Sequence, residues 1–451
     1  MRITPEIPLT LKNVAKALGA DENAYSEARI NAISTDSRVT EKGDLFIPLK
    51  GINTDGESFV GEAKRKGAYV ISSLYVDADF KTQDTRAALL GIAAFYKGLL
   101  NELKYTVAIT GSTGKTTTKN ILSSLLAHNC KEHHTHENYN NVIGLAHTLL
   151  SAPKDTQILI CELGMNHPGE IALLSKALSP DIGIITNIGS SHIGNLGTRE
   201  NIAMAKLEIL CGMKSPKLIG PHGEKLIEQK VGYTFSTEDD SADCYLKPIK
   251  EYEDGSIFDI RSKRINITSQ RISIPGRHVL KALAASIGVI EYLELNAKDI
   301  GKAISVLTQN LTRGRFITVG AYTVYDDSYS ASPEAVISDF ELSMLWQKPK
   351  SCVLGDMLEL GTSSIYIHSL IGKKAFEYGF EKLFAFGRYA LHIANGARLA
   401  GMPKENIFIN TDISSPEITA RQIKENAAPN NIILVKASHA IHAERLIPFL
   451  S

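Results

Sequence analysis

The chain has 451 residues, 43% of them apolar and 22% charged, and its 49 basic side chains balance 49 acidic ones. A single hydrophobic core rarely grows beyond ~250–300 residues, so this length calls for two or three domains. A formal net charge of zero argues against a nucleic-acid binder, which shows a basic excess, and no apolar run is long enough to span a bilayer.

Residues 1–10 have no apolar stretch behind a basic start, so no signal peptide is visible. Residues 1–80 alternate short elements: a helix over 11–18, a strand at 44–47, a helix over 57–66 and an apolar strand at 68–71. Polar clusters at 34–38 and 53–56 separate them as turns. Residues 81–312 open on a helical pattern at 85–100. A strand at 105–110, a glycine-bearing loop at 111–114 and a helix over 115–127 come next. Two more apolar strands, 157–161 and 181–186, each precede a helical pattern. This alternation predicts a mainly parallel sheet covered on both faces. The β-branched, turn-rich stretch 230–275 predicts a small antiparallel insert. Residues 313–451 alternate again, with strands at 322–325, 352–354, 382–386, 407–409 and 432–435. They read as a doubly wound domain without the GxGxxG fingerprint. The expected fold class is therefore α/β in three domains, 1–80, 81–312 and 313–451. Five scattered cysteines form no CxxC pair and read as reduced thiols of a cytoplasmic protein. A monomer is the default expectation.

The strongest local signal is Thr110-Gly111-Ser112-Thr113-Gly114-Lys115-Thr116-Thr117-Thr118, placed between a strand and an amphipathic helix. Glycines let the backbone N–H groups curl inward toward phosphate oxygens, and the helix adds the positive end of its dipole. Lys115 supplies a point charge for the β- and γ-phosphates, and the Thr116 hydroxyl is suited to Mg²⁺. The standard loop has one more glycine, where this chain has Ile109, so the loop is a shortened variant. A glycine turn with a solvated lysine explains the pattern less well than phosphate binding does. The loop alone indicates a nucleotide, not a reaction.

Four further residues are weaker candidates. Glu162 ends an apolar strand, where an acid often helps hold the nucleotide's metal, but a solvated strand-end glutamate fits the pattern equally. His192 lies in a Gly/Ser-rich loop after the next strand, at the sheet end where open α/β folds bind ligands; loop histidines are more often simply exposed. Lys206 and Glu208 sit on a helical pattern that by itself reads better as a charged face. The segment Lys131-Glu132-His133-His134-Thr135-His136 has irregular spacing and reads as a polar loop rather than a metal site.

Taken together, these stretches resemble the Mur ligase family, which joins amino acids or short peptides to UDP-muramoyl precursors of peptidoglycan. The similarity runs from Ser34-Thr35-Asp36-Ser37-Arg38, Gly43-Asp44-Leu45-Phe46 and Asp55-Gly56 through the short phosphate loop and Asn138-Tyr139-Asn140-Asn141-Val142-Ile143-Gly144 to Gly314-Arg315-Phe316 and Asp326-Asp327-Ser328-Tyr329. Two segments are similar to the branch that adds D-alanyl-D-alanine: residues 162–171, and Leu354-Gly355-Asp356-Met357-Leu358-Glu359-Leu360-Gly361 with His368 after it. The resemblance implies a small N-terminal UDP-binding domain, a central P-loop ATPase-like domain and a C-terminal Rossmann-like domain that closes over ATP. It implies that Ser37, Arg38, Asp55 and Gly56 hold the UDP-sugar. ATP would be held by Gly111, Ser112, Thr113, Gly114, Lys115, Thr116, Thr117, Asn140, Asn141, Arg315 and Asp327. Thr116, Glu162, His192 and a carbamylated Lys206 would hold Mg²⁺, as two ions. Lys115, His192, Lys206 and Arg315 would carry catalysis, with Arg315 reaching the γ-phosphate. The implied substrates are UDP-N-acetylmuramoyl tripeptide and D-alanyl-D-alanine, joined through an acyl phosphate.

The chain departs from the family's pattern at Ser330 and Ser332, where asparagines are common, and at Ala437 and His439, within its Lys-Gly-Ser-Arg segment. Lys281 stands near the place of an asparagine beside the adenine. These departures leave open a ligase with another amino donor. The reading from another class is a P-loop protein that binds nucleotide without making a bond. The third residue of the tripeptide, meso-diaminopimelate or L-lysine, also stays open.

Overall fold

The computed structural model describes residues 1–51, 54–127, 129–295, 297, 299–308 and 311–451; Asn53, the first residue of the turn expected at 53–56, lies outside them. The fold is α/β, with mostly parallel strands in three sheet regions. The chain forms two compact units. One comprises Met1–Thr110, Leu126–Ile184 and Leu207–Lys217, and the other Gly111–Leu125, Ile185–Lys206 and Leu218–Ser451.

The first unit holds a small five-stranded sheet in the order Arg2–Ile3, Ile33–Ser34, Leu45–Phe46, Tyr69–Ser72 and Phe80–Lys81. Only its first pair is antiparallel. Ile33–Ser34 ends on the first residue of the cluster read as a turn. The Ser34 hydroxyl is buried and donates to backbone carbonyls, so a polar residue is tolerated in the strand. The same unit holds residues 182–184 of the strand Ile182–Ile185, then Tyr105–Thr110, Ile158–Glu162 and Glu132–His134, side by side in that order. The central strands are buried along nearly their whole length, as parallel strands covered on both faces must be. Helix Thr85–Lys97 is capped by Asp84, whose carboxylate accepts from the N–H groups of Arg86 and Ala87. Its fully buried Tyr96 donates to the Ala152 carbonyl at 3.0 Å and accepts from the Ile7 N–H at 3.3 Å, tying three segments to one side chain.

One expectation is corrected here. The histidine-rich segment forms the edge strand Glu132–His134, parallel to Ile158–Glu162, and is not a loop throughout. Its polar side chains are satisfied locally. His133 Nε2 lies 3.0 Å from the Thr148 carbonyl, and His134 Nδ1 lies 2.9 Å from Glu132 Oε2. An edge position tolerates such residues, which a central strand would not.

In the second unit, Cys244–Tyr252, Gly255–Ser262 and Asn266–Ile272 form the expected antiparallel insert, beside Tyr233–Ser236 and Leu218–Pro221. Helix Arg277–Tyr292 packs on these strands through an almost continuous buried face. The C-terminal sheet runs Arg315–Val319, Tyr322–Asp327, Ile432–Lys436, Lys350–Gly355, Lys382–Phe386 and Ile407–Asn410. Its first pair is antiparallel and the rest parallel, with apolar clusters on both faces.

Candidate active site

The strand Tyr105–Thr110 runs into the loop Gly111–Gly114, and helix Lys115–Leu126 leaves it. Gly111 and Gly114 both have positive φ, +151° and +79°. A Cβ at Gly111 would stand 1.8 Å from Thr186 Oγ1, so the close approach requires glycine there. The loop is braced by the segment after the neighbouring strand. Asn187 Oδ1 accepts from the N–H groups of Ser112 (3.0 Å) and Thr113 (2.9 Å), and the Gly189 N–H donates to Ser112 Oγ at 2.9 Å. Lys115 Nζ donates to the Gly111 carbonyl at 2.6 Å, which folds its ammonium back over the loop.

A cavity of about 160 Å³ opens on this loop, lined among others by Lys115, Thr116, His278, Arg313, Asp327 and Lys436. Arg313 Nη2 donates to Thr116 Oγ1 at 2.8 Å, and its guanidinium lies 4.4 Å from the centre of the Tyr329 ring. Lys436 is buried between two carboxylates. It pairs closely with Asp327 and lies 2.9 Å from Asp339. Burial pushes Asp339 up to about 8 despite the opposing pull of Lys436, with the neighbouring Asp327 charge adding to the rise. Burial opposes the charge of Lys436, but the two carboxylates outweigh it and raise its pKa. Burial also pulls His278 down to about 4, so its imidazole is neutral at pH 7. A second cavity of about 210 Å³ adjoins Gly114 and Asn187 and is lined by Phe235, Glu238 and Lys281, the last two paired at 3.0 Å.

Lys206, in helix Arg199–Leu207, is almost wholly buried. Desolvation, aided by the Lys115 charge, holds its amine well below the ordinary lysine pKa. His192 is left-handed (φ +65°) at the start of helix Ile193–Leu196, and its Nδ1 pairs closely with the Glu359 carboxylate.

The other candidates lie in the first unit. Glu162 is fully buried at its strand end, level with Ile109 of the strand that feeds the phosphate loop, and its N–H donates to Thr135 Oγ1 at 3.0 Å. Asn141 caps helix Val142–Leu150 by accepting from the Gly144 N–H at 3.0 Å. Asn140 takes the Gly164 N–H on its carbonyl at 2.8 Å, which brings the asparagine segment beside the residues that follow Glu162. Ser37 is buried with its hydroxyl 3.4 Å from Glu62, whereas Arg38 is exposed and pairs with Asp36. Asp55 caps the turn Gly56–Phe59, and Gly56 is packed so tightly that a Cβ would lie 2.6 Å from the Leu49 nitrogen.

Residues 109–290 match the model of the Mur ligase middle domain. The chain is 34% identical to the UDP-N-acetylmuramoyl-tripeptide--D-alanyl-D-alanine ligase of Bacillus subtilis (strain 168), across 98% of either protein. The chain belongs to the Mur ligase family. It is also similar to a solved MurF from Acinetobacter baumannii, with a TM-score of 0.89 at 27% identity over the full length of both chains. A MurF ligase from Thermotoga maritima in complex with ADP gives a TM-score of 0.81 at 27% identity, covering 92% of this chain and 96% of the other.

In this Mur ligase Arg315 opens the strand Arg315–Val319, level with Asp326, and does not line the cavity. It is 69% exposed, 3.6 Å from the Asp326 carboxylate. Arg313 is the arginine at the phosphate loop, and sequence reasoning missed it. The available signal was a second arginine two residues before Arg315. Asn187 and the Asp339–Lys436 pair were also missed. Ser332, a departure from the family pattern, caps helix Pro333–Ser343 by accepting from the Ala335 N–H at 3.3 Å. His439, another departure, stacks on Tyr329 with ring centres 4.8 Å apart.

Proposed function

We propose that this Mur ligase joins D-alanyl-D-alanine to UDP-N-acetylmuramoyl tripeptide, with ATP cleaved to ADP and phosphate, as a cytoplasmic monomer. The observation that carries the reading is the braced glycine loop with Lys115 facing a cavity that Asp327 and Lys436 close from the C-terminal sheet. The names of the full-length relatives support the choice of substrates.

In the first step the tripeptide's terminal carboxylate attacks the γ-phosphorus, ADP leaves and an acyl phosphate forms. Two anions must meet, so the loop N–H groups, Lys115 and an arginine act by positioning and charge neutralisation. In the second step the neutral amine of D-alanyl-D-alanine attacks the acyl carbon. The C–O bond to phosphate breaks, phosphate leaves, and the amine gives up its proton. His192, or the Glu359 carboxylate paired with it, is suited to take that proton. Closure of residues 313–451 over ATP keeps water from the acyl phosphate.

The donor set fits a divalent cation on chemical grounds. Glu162 is a buried carboxylate, Thr116 offers a hydroxyl, and Lys206 is a buried amine favoured in its neutral form. Only a neutral amine takes up carbon dioxide, and the carbamate that results is an oxygen ligand. Thr116, Glu162, His192 and carbamylated Lys206 would hold Mg²⁺ as two ions, and the metal supplies neutralising charge on the phosphates. Ser37, Arg38, Asp55 and Gly56 are assigned to the UDP-sugar, and Asn140, Asn141 and Asp327 to ATP.

The test is phosphate release from ATP in the presence of UDP-N-acetylmuramoyl tripeptide, with and without D-alanyl-D-alanine. Release that needs both is expected. Release with another amine alone would move the donor, and no release with any acceptor would overturn the ligase reading.

A further inference from the structure

We propose that Asp339 is a positioning residue of the nucleotide site: it holds the Lys436 ammonium against Asp327 and so fixes the carboxylate that receives the nucleotide's ribose. The proposal deepens the nucleotide reading above and rests on it. Asp327 lines the cavity at the phosphate loop. A carboxylate only accepts hydrogen bonds and repels phosphate, so the part of ATP it suits is the ribose diol. The strength of that contact depends on where the carboxylate points, and two buried neighbours decide it.

Strand register brings Lys436 to Asp327, because the two end neighbouring parallel strands as direct partners. Lys436 Nζ engages Asp327 Oδ2. A lysine is a poor fixture by itself, since its ammonium is a point charge on a flexible stem. Asp339, on helix Pro333–Ser343, closes the other side, with its Oδ2 2.9 Å from Nζ. Lys436 is 2% exposed and Asp339 4%, so neither can trade its partner for water. Three full charges buried together would leave a net anion. Burial instead holds the Asp339 carboxyl well above the ordinary carboxylate range, so at pH 7 the cluster is one cation, one anion and one neutral acid. The charge of Lys436 thus goes to Asp327, while Asp339 supplies an oxygen that keeps the ammonium in place.

The experiment is calorimetric titration of the full chain with ADP, 2′-deoxy-ADP and 3′-deoxy-ADP, each with Mg²⁺, for the unaltered protein, Asp339→Ala and Asp339→Asn. The unaltered chain should bind ADP about tenfold or more tightly than at least one deoxy form, the worth of a hydrogen bond to a charged group. Asp339→Ala should shrink that preference to about threefold or less, with the deoxy form bound as before, because only the hydroxyl contact depends on the aim of Asp327. Asp339→Asn keeps the shape and the accepting oxygen of the neutral acid and should retain the preference. An equal loss for all three nucleotides in Asp339→Ala would assign Asp339 a structural role and overturn the proposal, as would an unchanged preference. A preference lost as fully in Asp339→Asn would overturn it too, since the accepting oxygen would then not be what holds Lys436. Thermal unfolding checks that each variant folds, and Asp339→Leu, which fills the space without an acceptor, replaces Asp339→Ala if the latter is unstable. If the unaltered chain bound ADP no better than either deoxy form, the ribose assignment of Asp327 would fall and the proposal with it. Binding of no nucleotide at all would overturn the nucleotide reading itself.

Discussion

Lys206 shows how burial prepares a side chain for chemistry. The Lys206 ammonium is desolvated beside the like charge of Lys115, and its proton is therefore held weakly. On the proposed carbamylation, the neutral amine would add carbon dioxide and release a proton, which would turn a cation into an anion next to Lys115. Protein equilibrated with ¹³C-labelled bicarbonate should give a carbamate carbon signal that is absent from Lys206→Arg, with ligase activity lost in that variant. A spectrum without the signal in the unaltered protein would exclude the carbamate. The residues around Gly111–Thr117 were legible in the sequence because a loop that must curl around phosphate needs glycine, lysine and hydroxyl at fixed positions. Arg313 was not legible. Two arginines separated by one glycine look alike in a sequence, and only the pairing of Arg315 with Asp326 in the edge strand decides which of them faces the loop.

At the scale of elements, the phosphate loop depends on its neighbour. Thr186 and Asn187, at the end of the adjoining strand, set both the space at Gly111 and the direction of the Ser112 and Thr113 N–H groups. Gly111→Ala places a methyl group against Thr186 Oγ1 and should misalign the loop at a cost of about 1–3 kcal/mol of strain. The expected result is nucleotide affinity reduced about tenfold or more, the equivalent of that strain, with the overall fold retained by circular dichroism. Unchanged affinity would show that the loop is not held in the form described. Most strands were legible because buried parallel strands are continuous apolar runs, as in Ile158–Glu162 and Ile432–Lys436. Glu132–His134 was not, because an edge strand carries polar residues and hides its periodicity. Arg315–Val319 was missed for a related reason: it is half-exposed, antiparallel and short.

At the scale of the whole molecule, residues from both ends of the chain are assigned to one reaction. The N-terminal sheet is assigned the UDP-sugar, the glycine loop the phosphates, and the C-terminal sheet supplies Asp327 and Lys436 to the cavity on that loop. The three-domain division of the sequence reading remains a proposal, with a physical basis in three sheet regions. Such a division of labour suits a reaction whose intermediate must be made and consumed away from water. The claim that joins these parts is the acyl phosphate. It is tested most directly by preparing UDP-N-acetylmuramoyl tripeptide with ¹⁸O in its terminal carboxylate and analysing the phosphate released during ligation to D-alanyl-D-alanine. The account predicts that each phosphate carries one ¹⁸O, transferred from the carboxylate when the amide forms. Phosphate without the label would mean that the carboxylate never attacked the γ-phosphorus, and would contradict the mechanism.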